Sequence, residues 1–245
     1  MGENIRQQAR LSLLATADGS YTLYDSVLDE TYHSKFGAAT ESHLVYLHNA
    51  GVYQRLQSQL PTSVLEIGFG TGYNFVCTAH QADMAQCKLH YTGIEMLPPS
   101  TTLARTVLKE NAPDQSPLAE FALQAISNIR HRGTSSRSEY NSLISLTVNN
   151  ADATAWQFPE SEFDAIYLDA FSSKNNPLLW QTAFLAPLCR SLRPGGKLAT
   201  YCVNRSFREA LTHAGWLWEK LPGPMGKREV LVAKPATDDS TITEN

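Results

Sequence analysis

Cysteine is scarce in this sequence, and its four copies are scattered along the chain. Cys77, Cys87, Cys189 and Cys202 form no C-x-x-C pair and stand beside no histidine cluster. This spacing argues against a metal site and against a disulfide framework, so we expect no bound metal. Isolated cysteines are typical of proteins in a reducing compartment, which favours a cytoplasmic location.

Long apolar runs and an excess of positive charge are also missing. No window approaches the roughly eighteen apolar residues that a membrane-spanning helix needs, and the stretch MGENIRQQARLSLL lacks the apolar core of a signal peptide. The chain has 20 Lys and Arg against 24 Asp and Glu, a formal net charge of −4. This balance argues against a global positive field for nucleic acid, although a local basic patch remains compatible with it.

The residues that are present suffice for one large folded domain with a small appendage. Of the 245 residues, 42% are hydrophobic and 18% are charged, which is an ordinary globular composition. We expect residues 1–60 to form a hairpin and helical extension that packs on a catalytic domain at residues 61–235. The polar residues 236–245 predict a disordered tail.

In the extension, two strand-like runs around residues 17–20 predict a β-hairpin, and residues 40–49 predict a helix that ends at Gly51. Beyond residue 61, predicted strands alternate with helices. The predicted strands cover residues 63–67, 89–95, 143–148, 163–169, 197–203 and 228–233. Such alternation predicts an α/β fold with a mostly parallel, doubly wound sheet, which binds its ligands at the carboxyl ends of the strands.

Proline and glycine predict several boundaries in this second zone. Asn176 and Pro177 begin a helix, which Pro187 should kink or split. Residues 194–196, Pro-Gly-Gly, predict a turn into the following strand. Asn204 is expected to cap the next helix.

The stretch VLEIGFGTGYNF contains a glycine loop between a strand and a helix. The third glycine of a dinucleotide-binding loop would fall at Tyr73, which is too large, and no Gly-Lys-Ser/Thr follows for a phosphate loop. Glu66 precedes Gly68, Gly70 and Gly72, and a carboxylate there suits a cation better than a pyrophosphate. S-adenosylmethionine carries a sulfonium and an ammonium, so it fits this loop. The alternative is a tight turn in an α/β protein of another kind.

Acidic residues follow the next two strands as well. Glu95 can accept both hydroxyls of a ribose, and Asp152 can accept from an adenine amino group while Ala153 offers a backbone N–H. The alternatives are an exposed glutamate at a strand end and an aspartate that caps a helix. Asp169 ends the strand before AFSSKNNP, where it would face the transferred methyl group. Its alternative is a structural cap on the following loop.

Five motifs together resemble one family closely, the MnmC-like tRNA methyltransferases. They are YHSKFGAATES, LEIGFGTGYNF, LDAFSSKNNPLLW, RPGGKLATY and GKREVLVA, and the resemblance runs from about residue 18 to residue 234. It implies a Rossmann-like class I S-adenosylmethionine-dependent methyltransferase fold with seven strands, the last antiparallel. Ala170 and Phe171 stand where the family usually has Gly-Phe, which leaves Asp169 in place.

The resemblance also implies an activity. The chain would methylate the amine of 5-aminomethyl-2-thiouridine at the tRNA wobble position, giving 5-methylaminomethyl-2-thiouridine. It resembles the stand-alone form, without the FAD-dependent oxidase domain, so no flavin is expected. S-adenosyl-L-methionine would be the cofactor and tRNA the partner.

The candidate residues divide into three groups. Asp169 is the candidate catalytic residue, which aims the amine and can accept its proton. The candidate cofactor contacts are Glu66, Gly68, Gly70, Gly72, Asn74, Glu95, Met96, Asp152, Ala153, Asp169, Tyr24 and Tyr32. With Ser34 and Glu41, the two tyrosines would cover the cofactor. The candidate substrate and tRNA contacts are Phe171, Lys174, Arg205, Arg208, Lys227 and Arg228. Trp180 is expected in the core, and residues 129–137 in a solvated basic loop.

Three other functions stay open on the residues alone. They are a small-molecule N-methyltransferase, an aminopropyltransferase like spermidine synthase, and a non-catalytic RNA-binding protein of this fold. An aminopropyltransferase should carry several acids after the fourth strand, whereas Ser172, Ser173 and Lys174 follow here. A non-catalytic protein should have a damaged glycine loop or lack Asp169.

Overall fold

The computed structural model describes residues 10–236, so the predicted tail lies outside the described residues except for residue 236. The extension begins with a three-stranded antiparallel sheet of β1 (Leu11–Ala15), β2 (Tyr21–Asp25) and β3 (Glu30–Thr31). β1 and β2 pair in register around the turn at residues 17–20, as the sequence predicts. Gly19 has φ +84 in this turn, a backbone conformation that glycine adopts without strain.

The helical part of the extension differs from its prediction. A short helix α1 (Ala38–Glu41) runs directly into a π-helical segment, Ser42–His48, and α2 (Val52–Gln57) follows. The sequence predicts an end at Gly51 but not this second helix. Gly51 has φ +78 and stands just before α2, so the chain turns there and becomes helical again.

The large sheet has eight strands and confirms the predicted α/β fold. In chain order they are β4 (Thr62–Ile67), β5 (Leu89–Ile94), β6 (Ser136–Glu139), β7 (Ile144–Asn149), β8 (Phe163–Leu168), β9 (Leu192–Thr200), β10 (Trp216–Pro222) and β11 (Glu229–Pro235). Across the sheet the order is β10-β11-β9-β8-β4-β5-β7-β6. The five central strands β9, β8, β4, β5 and β7 are parallel, and β11 pairs antiparallel with β9 and β10.

Helices cover both faces of this sheet. They are α3 (Tyr73–Met84), α4 (Thr101–Asn111), α5 (Ser116–Arg132), α6 (Thr182–Arg190) and α7 (Arg205–His213). Successive residues of β4 point to opposite faces of the sheet. Val64 belongs to the hydrophobic cluster with α3 and α5, and Leu65 belongs to the cluster with α6 and α7. Within residues 10–236, no helix is long and apolar enough to span a membrane.

Three predicted features are wrong in detail. Residues 194–196 continue β9 instead of forming a turn before it, and the pairing with β8 shifts register between Phe163 and Ala165. Pro187 lies within α6 and does not split it. The break falls earlier, because the segment begun at Pro177 is a short 3-10 helix that ends at Trp180. Buried neighbours of Pro187, such as Leu188, offset its lost hydrogen bond by packing.

The predictions also miss β6 and β10. β6 has the sequence SRSE and pairs only at the edge of the sheet, where a polar strand needs no apolar pattern. The predicted basic loop at residues 129–137 therefore spans the end of α5 and the start of β6. By contrast, Asn204 caps α7, as the sequence predicts, and Ser100 caps α4.

Several contacts join the extension to the rest of the chain. Ser172 donates from both its backbone N and its hydroxyl to the Glu30 carboxylate. Asn175 Nδ2 donates to the Leu28 carbonyl at 2.9 Å. Because both loop residues follow β8, the extension is held over the carboxyl end of that strand.

Candidate active site

A cavity of about 1060 Å³ opens at the carboxyl ends of β4, β5 and β8, with the extension along its other side. Many sequence-predicted residues line it. They are Tyr24, Tyr32, Ser34, Glu41, Glu66, Gly68, Gly70, Glu95, Met96, Asp152, Ala153, Asp169, Phe171 and Lys227. Residues from six separate parts of the chain thus meet at one place, as expected for the strand ends of a parallel sheet.

The glycine loop approaches β8 so closely that a side chain cannot enter. Gly68 has φ +91, and a Cβ built there would lie 2.6 Å from the carbonyl oxygen of Asp169. A Cβ on Gly70, which has φ +54, would lie 3.1 Å from the Tyr32 ring. Gly72, with φ +79, directly precedes α3. The loop therefore exposes backbone to the cavity and forms a cradle that an added Cβ would disturb.

Glu66 and Asp169 are two buried acids joined by one amide. Asn74 Nδ2 donates to Glu66 Oε1 at 2.7 Å and to Asp169 Oδ2 at 2.8 Å. Tyr91 donates to the other oxygen of Glu66 at 2.9 Å. Burial raises the pKa of Glu66 well above its usual range, and the nearby charge of Asp169 raises it further. Asn74 thus acts here as a bridge behind the cavity surface.

Asp169 is held on both of its oxygens. Its Oδ1 accepts a hydrogen bond from the Tyr46 hydroxyl, and its Oδ2 accepts from Asn74. Burial, followed by the charge of Glu41, raises the pKa of Asp169 well above its usual range, whereas Tyr46, Asn74 and Lys227 act to lower it. Sequence reasoning missed Tyr46, because HLVYLH has the apolar pattern of an ordinary amphipathic helix.

Glu95 and Asp152 each have local partners. Glu95 accepts from the backbone N of Gly70 at 2.9 Å and of Leu97 at 2.8 Å, so it fastens the glycine loop. Burial raises the pKa of Glu95. Asp152 Oδ1 accepts from the backbone N and the hydroxyl of Thr154, which is the capping role considered as its alternative. Both acids also line the cavity, so capping does not remove them from the site.

The extension contributes polar and aromatic groups. Glu41 is buried and accepts from Ser34 N at 2.7 Å and from Lys227 Nζ. The Lys227 ammonium lies 4.2 Å from the centre of the Tyr201 ring, a cation–π contact. Tyr32 packs edge-on against Phe171 with ring centres 5.1 Å apart.

The predicted tRNA contacts fall into different environments. Lys227 is partly buried and forms an ion pair with the buried Glu41 carboxylate. Arg205 is exposed but pairs with Glu209 at 2.8 Å, and Arg208 stacks on Trp218 at 5.0 Å. Lys174 and Arg228 are exposed on loops adjoining the cavity.

Of the predicted aromatic residues, Tyr24 lines the cavity and Trp180 does not. Trp180 is buried, as expected, and its Nε1 donates to the Phe171 carbonyl at 3.0 Å. Tyr24 donates its hydroxyl to Asp29 at 2.9 Å near the cavity mouth. Within the described residues, no group of three or more His, Cys, Asp and Glu side chains could hold a metal ion.

The cavity is strongly acidic. Seven carboxylates line it, against the basic side chains of Arg10, Lys35 and Lys227. In addition, Asn74 Oδ1 is buried beside this site without a hydrogen-bond donor among the residues described. Such an environment suits a ligand that carries positive charge and several donors, with no phosphate.

Comparisons with known proteins agree with this geometry. Residues 115–236 match the model of a family described as S-adenosyl-L-methionine-dependent methyltransferase. The tRNA 5-methylaminomethyl-2-thiouridine biosynthesis bifunctional protein MnmC of Aromatoleum aromaticum is 35% identical over 230 residues, which are 91% of this chain and 34% of that protein. Its counterpart from Paraburkholderia xenovorans is 32% identical over 87% of this chain and 33% of that protein.

A solved structure is also similar. The crystal structure of MNMC2 from Aquifex aeolicus superposes with a TM-score of 0.74 at 23% identity, covering 95% of this chain and 76% of that one. This likeness shows a shared fold. The chain spans about a third of the length of the bifunctional relatives that it matches.

Proposed function

This chain belongs to the S-adenosyl-L-methionine-dependent methyltransferase family that includes the matching part of the MnmC proteins, and from this premise we propose that it methylates tRNA. The acceptor would be the amine of 5-aminomethyl-2-thiouridine at the wobble position, and the product 5-methylaminomethyl-2-thiouridine. The observation that carries the proposal is Asp169, a buried carboxylate held at both oxygens beside the glycine loop.

The residues present fit S-adenosyl-L-methionine, which supplies a methyl group on a sulfonium when it is bound. Glu66 and Asp169 would balance its positive charges, and the backbone at Gly68 allows close approach. Glu95 would accept from the ribose hydroxyls, with Asp152 and Ala153 at the adenine. Tyr32 would cover the bound cofactor and help to exclude water.

The methyl acceptor must be a neutral amine with its lone pair directed at the methyl carbon. Removing the proton from an alkylamine with a pKa near that of lysine costs about 4–5 kcal/mol at pH 7. Burial and the nearby sulfonium lower the pKa of this amine. Asp169 would aim the nitrogen by accepting a hydrogen bond and would take up its proton. Nucleophile and methyl must come within about 3–3.5 Å.

The surroundings of the cavity mouth support a tRNA substrate. The target base must leave its stack to reach the site, and Phe171 can pack against it. Lys174 and Arg228 adjoin the mouth from two different loops, and exposed Lys35 joins them from the extension. These three cations are our candidates for phosphate contacts. A tRNA substrate would place the protein in the cytoplasm.

The acidic cavity predicts which ligands bind. We expect isothermal titration calorimetry to give heat with S-adenosyl-L-methionine and with S-adenosylhomocysteine but none with NAD, because a pyrophosphate would face Glu66 and Glu95. Heat with NAD alone would contradict this cofactor assignment.

The substrate form supplies the test of the activity itself. We expect the chain to methylate tRNA that carries the free aminomethyl group and to leave the carboxymethylaminomethyl form unchanged. An added carboxylate would be repelled by Asp169 and Glu41 in the buried site. Nucleoside mass spectrometry after incubation with S-adenosyl-L-methionine measures both reactions. Conversion of the carboxymethylated tRNA, or no methylation of the free amine, would overturn the proposal.

A further inference from the structure

The last residue of α1 and the π-helical segment that follows it bring two polar side chains, Glu41 and Tyr46, towards Asp169. Glu41 and Tyr46 stand five residues apart, which in an α-helix would put them about 140° apart around the axis. Hydrogen bonds of the π type span five residues instead, as in the bond from Asn49 N to Leu44 O at 3.1 Å. Because a π-helix turns less per residue, residues with this spacing lie closer together around the axis than in an α-helix. Both side chains are fully buried, with Glu41 1% and Tyr46 0% exposed.

Both side chains act on Asp169. Tyr46 donates directly to Asp169 Oδ1, and the charge of Glu41 acts on Asp169 from nearby. Alone, Glu41 would disfavour a second anion at this depth. Lys227 reaches in from the loop before β11 and pairs with Glu41, so it compensates this repulsion.

We propose that Tyr46 and Lys227 are positioning residues that hold Asp169 as an oriented anion for the methyl-accepting amine, an inference that rests on the proposed function. Tyr46 and Asn74 occupy one lone pair on each carboxylate oxygen, which leaves the remaining lone pairs in fixed directions. Lys227 supplies the positive charge that a buried anion requires.

This inference changes the role expected for Lys227. If Lys227 contacts a tRNA phosphate, its loss changes how tRNA affinity depends on salt concentration. If Lys227 acts on Asp169, its loss changes how the methylation rate depends on pH. The titratable and charged groups that face Asp169 come from six elements or loops. They are Glu41, Tyr46, Glu66, Tyr91, Tyr201 and Lys227.

The test uses Tyr46→Phe and Lys227→Met, with Tyr140→Phe as a control in which a partly buried tyrosine far from Asp169 loses its hydroxyl. Single-turnover methylation of tRNA carrying the free amine is measured across pH with saturating S-adenosyl-L-methionine. The hydrogen bond and the ammonium both favour the anion, so each variant should move the acidic limb of the profile upward by about one pH unit. On that limb the rate follows the fraction of Asp169 that is ionised, so at a fixed pH it should fall about tenfold, whereas the control should match the wild type.

Two further measurements keep the outcomes separate. Carbon-13 NMR titration of the Asp169 carboxyl, with S-adenosylhomocysteine bound, should show a higher pKa in both variants without any turnover. The dependence of tRNA affinity on salt should stay the same in Lys227→Met. If that slope falls by about one while the pH profile stays in place, Lys227 is a phosphate contact and the inference is wrong.

Unchanged profiles and an unchanged Asp169 titration in both variants would also overturn it. If Tyr46→Phe does not fold, as its melting curve would show, Lys227→Met decides the question. A wild-type enzyme that leaves the free amine unmethylated would refute the proposed function, and the NMR titration would still test whether Tyr46 and Lys227 hold the anion.

Discussion

Replacing Asp169 by asparagine is expected to lower the rate constant for methyl transfer by a factor on the order of 10²–10⁴, the usual effect of losing a positioned acid–base group. Asparagine keeps the shape of the side chain and can still meet the Tyr46 hydroxyl with its carbonyl oxygen. It loses the negative charge and one acceptor, so Asn74 would face an amide nitrogen in place of Asp169 Oδ2. Affinity for S-adenosyl-L-methionine should change much less.

The pH dependence distinguishes this role from a structural one. Raising the pH should partly rescue Asp169→Asn, because a larger fraction of the amine is then neutral without an acceptor. Single-turnover rates across pH, on tRNA carrying the free amine, measure the effect. Asp114→Asn is the matched control, since Asp114 is an exposed acid on the short helix before α5. A near-normal rate at neutral pH in Asp169→Asn would make Asp169 a structural cap on its loop.

Replacing Gly68 by alanine is expected to weaken the binding of S-adenosylhomocysteine about a hundredfold or more. A residue other than glycine at φ +91 costs about 1–2 kcal/mol. Its Cβ would also lie 2.6 Å from the Asp169 carbonyl oxygen, which belongs to the backbone and cannot swing away. Overpacking of this kind costs about 1–3 kcal/mol, and each 1.4 kcal/mol is a factor of ten in affinity. The loop must therefore move away from β8, out of the shape that receives the cofactor.

A glycine elsewhere in the chain separates backbone strain from this clash. Gly133 ends α5 with φ +64, and a Cβ there would have nothing within 4 Å. Gly133→Ala should therefore lose some stability, seen in its melting curve, but bind S-adenosylhomocysteine normally by calorimetry. Equal affinities for Gly68→Ala and the wild type would show that the close approach to Asp169 does not shape the cofactor site.

Much of the fold follows from local patterns that need no tertiary structure to be recognised. Buried runs such as residues 63–67 and 163–169 predict central strands, since few other elements bury every residue over so short a length. Asn204 predicts a helix start because its side chain can bond a backbone N–H three residues further on. Long-range partners decide the elements that were missed, because β10 pairs with β11 and β6 lies at the edge beside β7.

The sequence by itself predicted the edge of the sheet at which the candidate site lies and three of the acids that line its cavity. Glu66, Glu95 and Asp169 each follow or end a strand, and parallel strands bring their carboxyl ends to one edge whatever the details of packing. Only the tertiary structure decided which groups hold these acids. Tyr46 lies 123 residues from Asp169 in the chain, and Lys227 lies 186 residues from Glu41. Their contacts depend on how the extension folds over the sheet and on a π-helical turn, and neither has a local sequence signal, because both arise from the packing of distant segments.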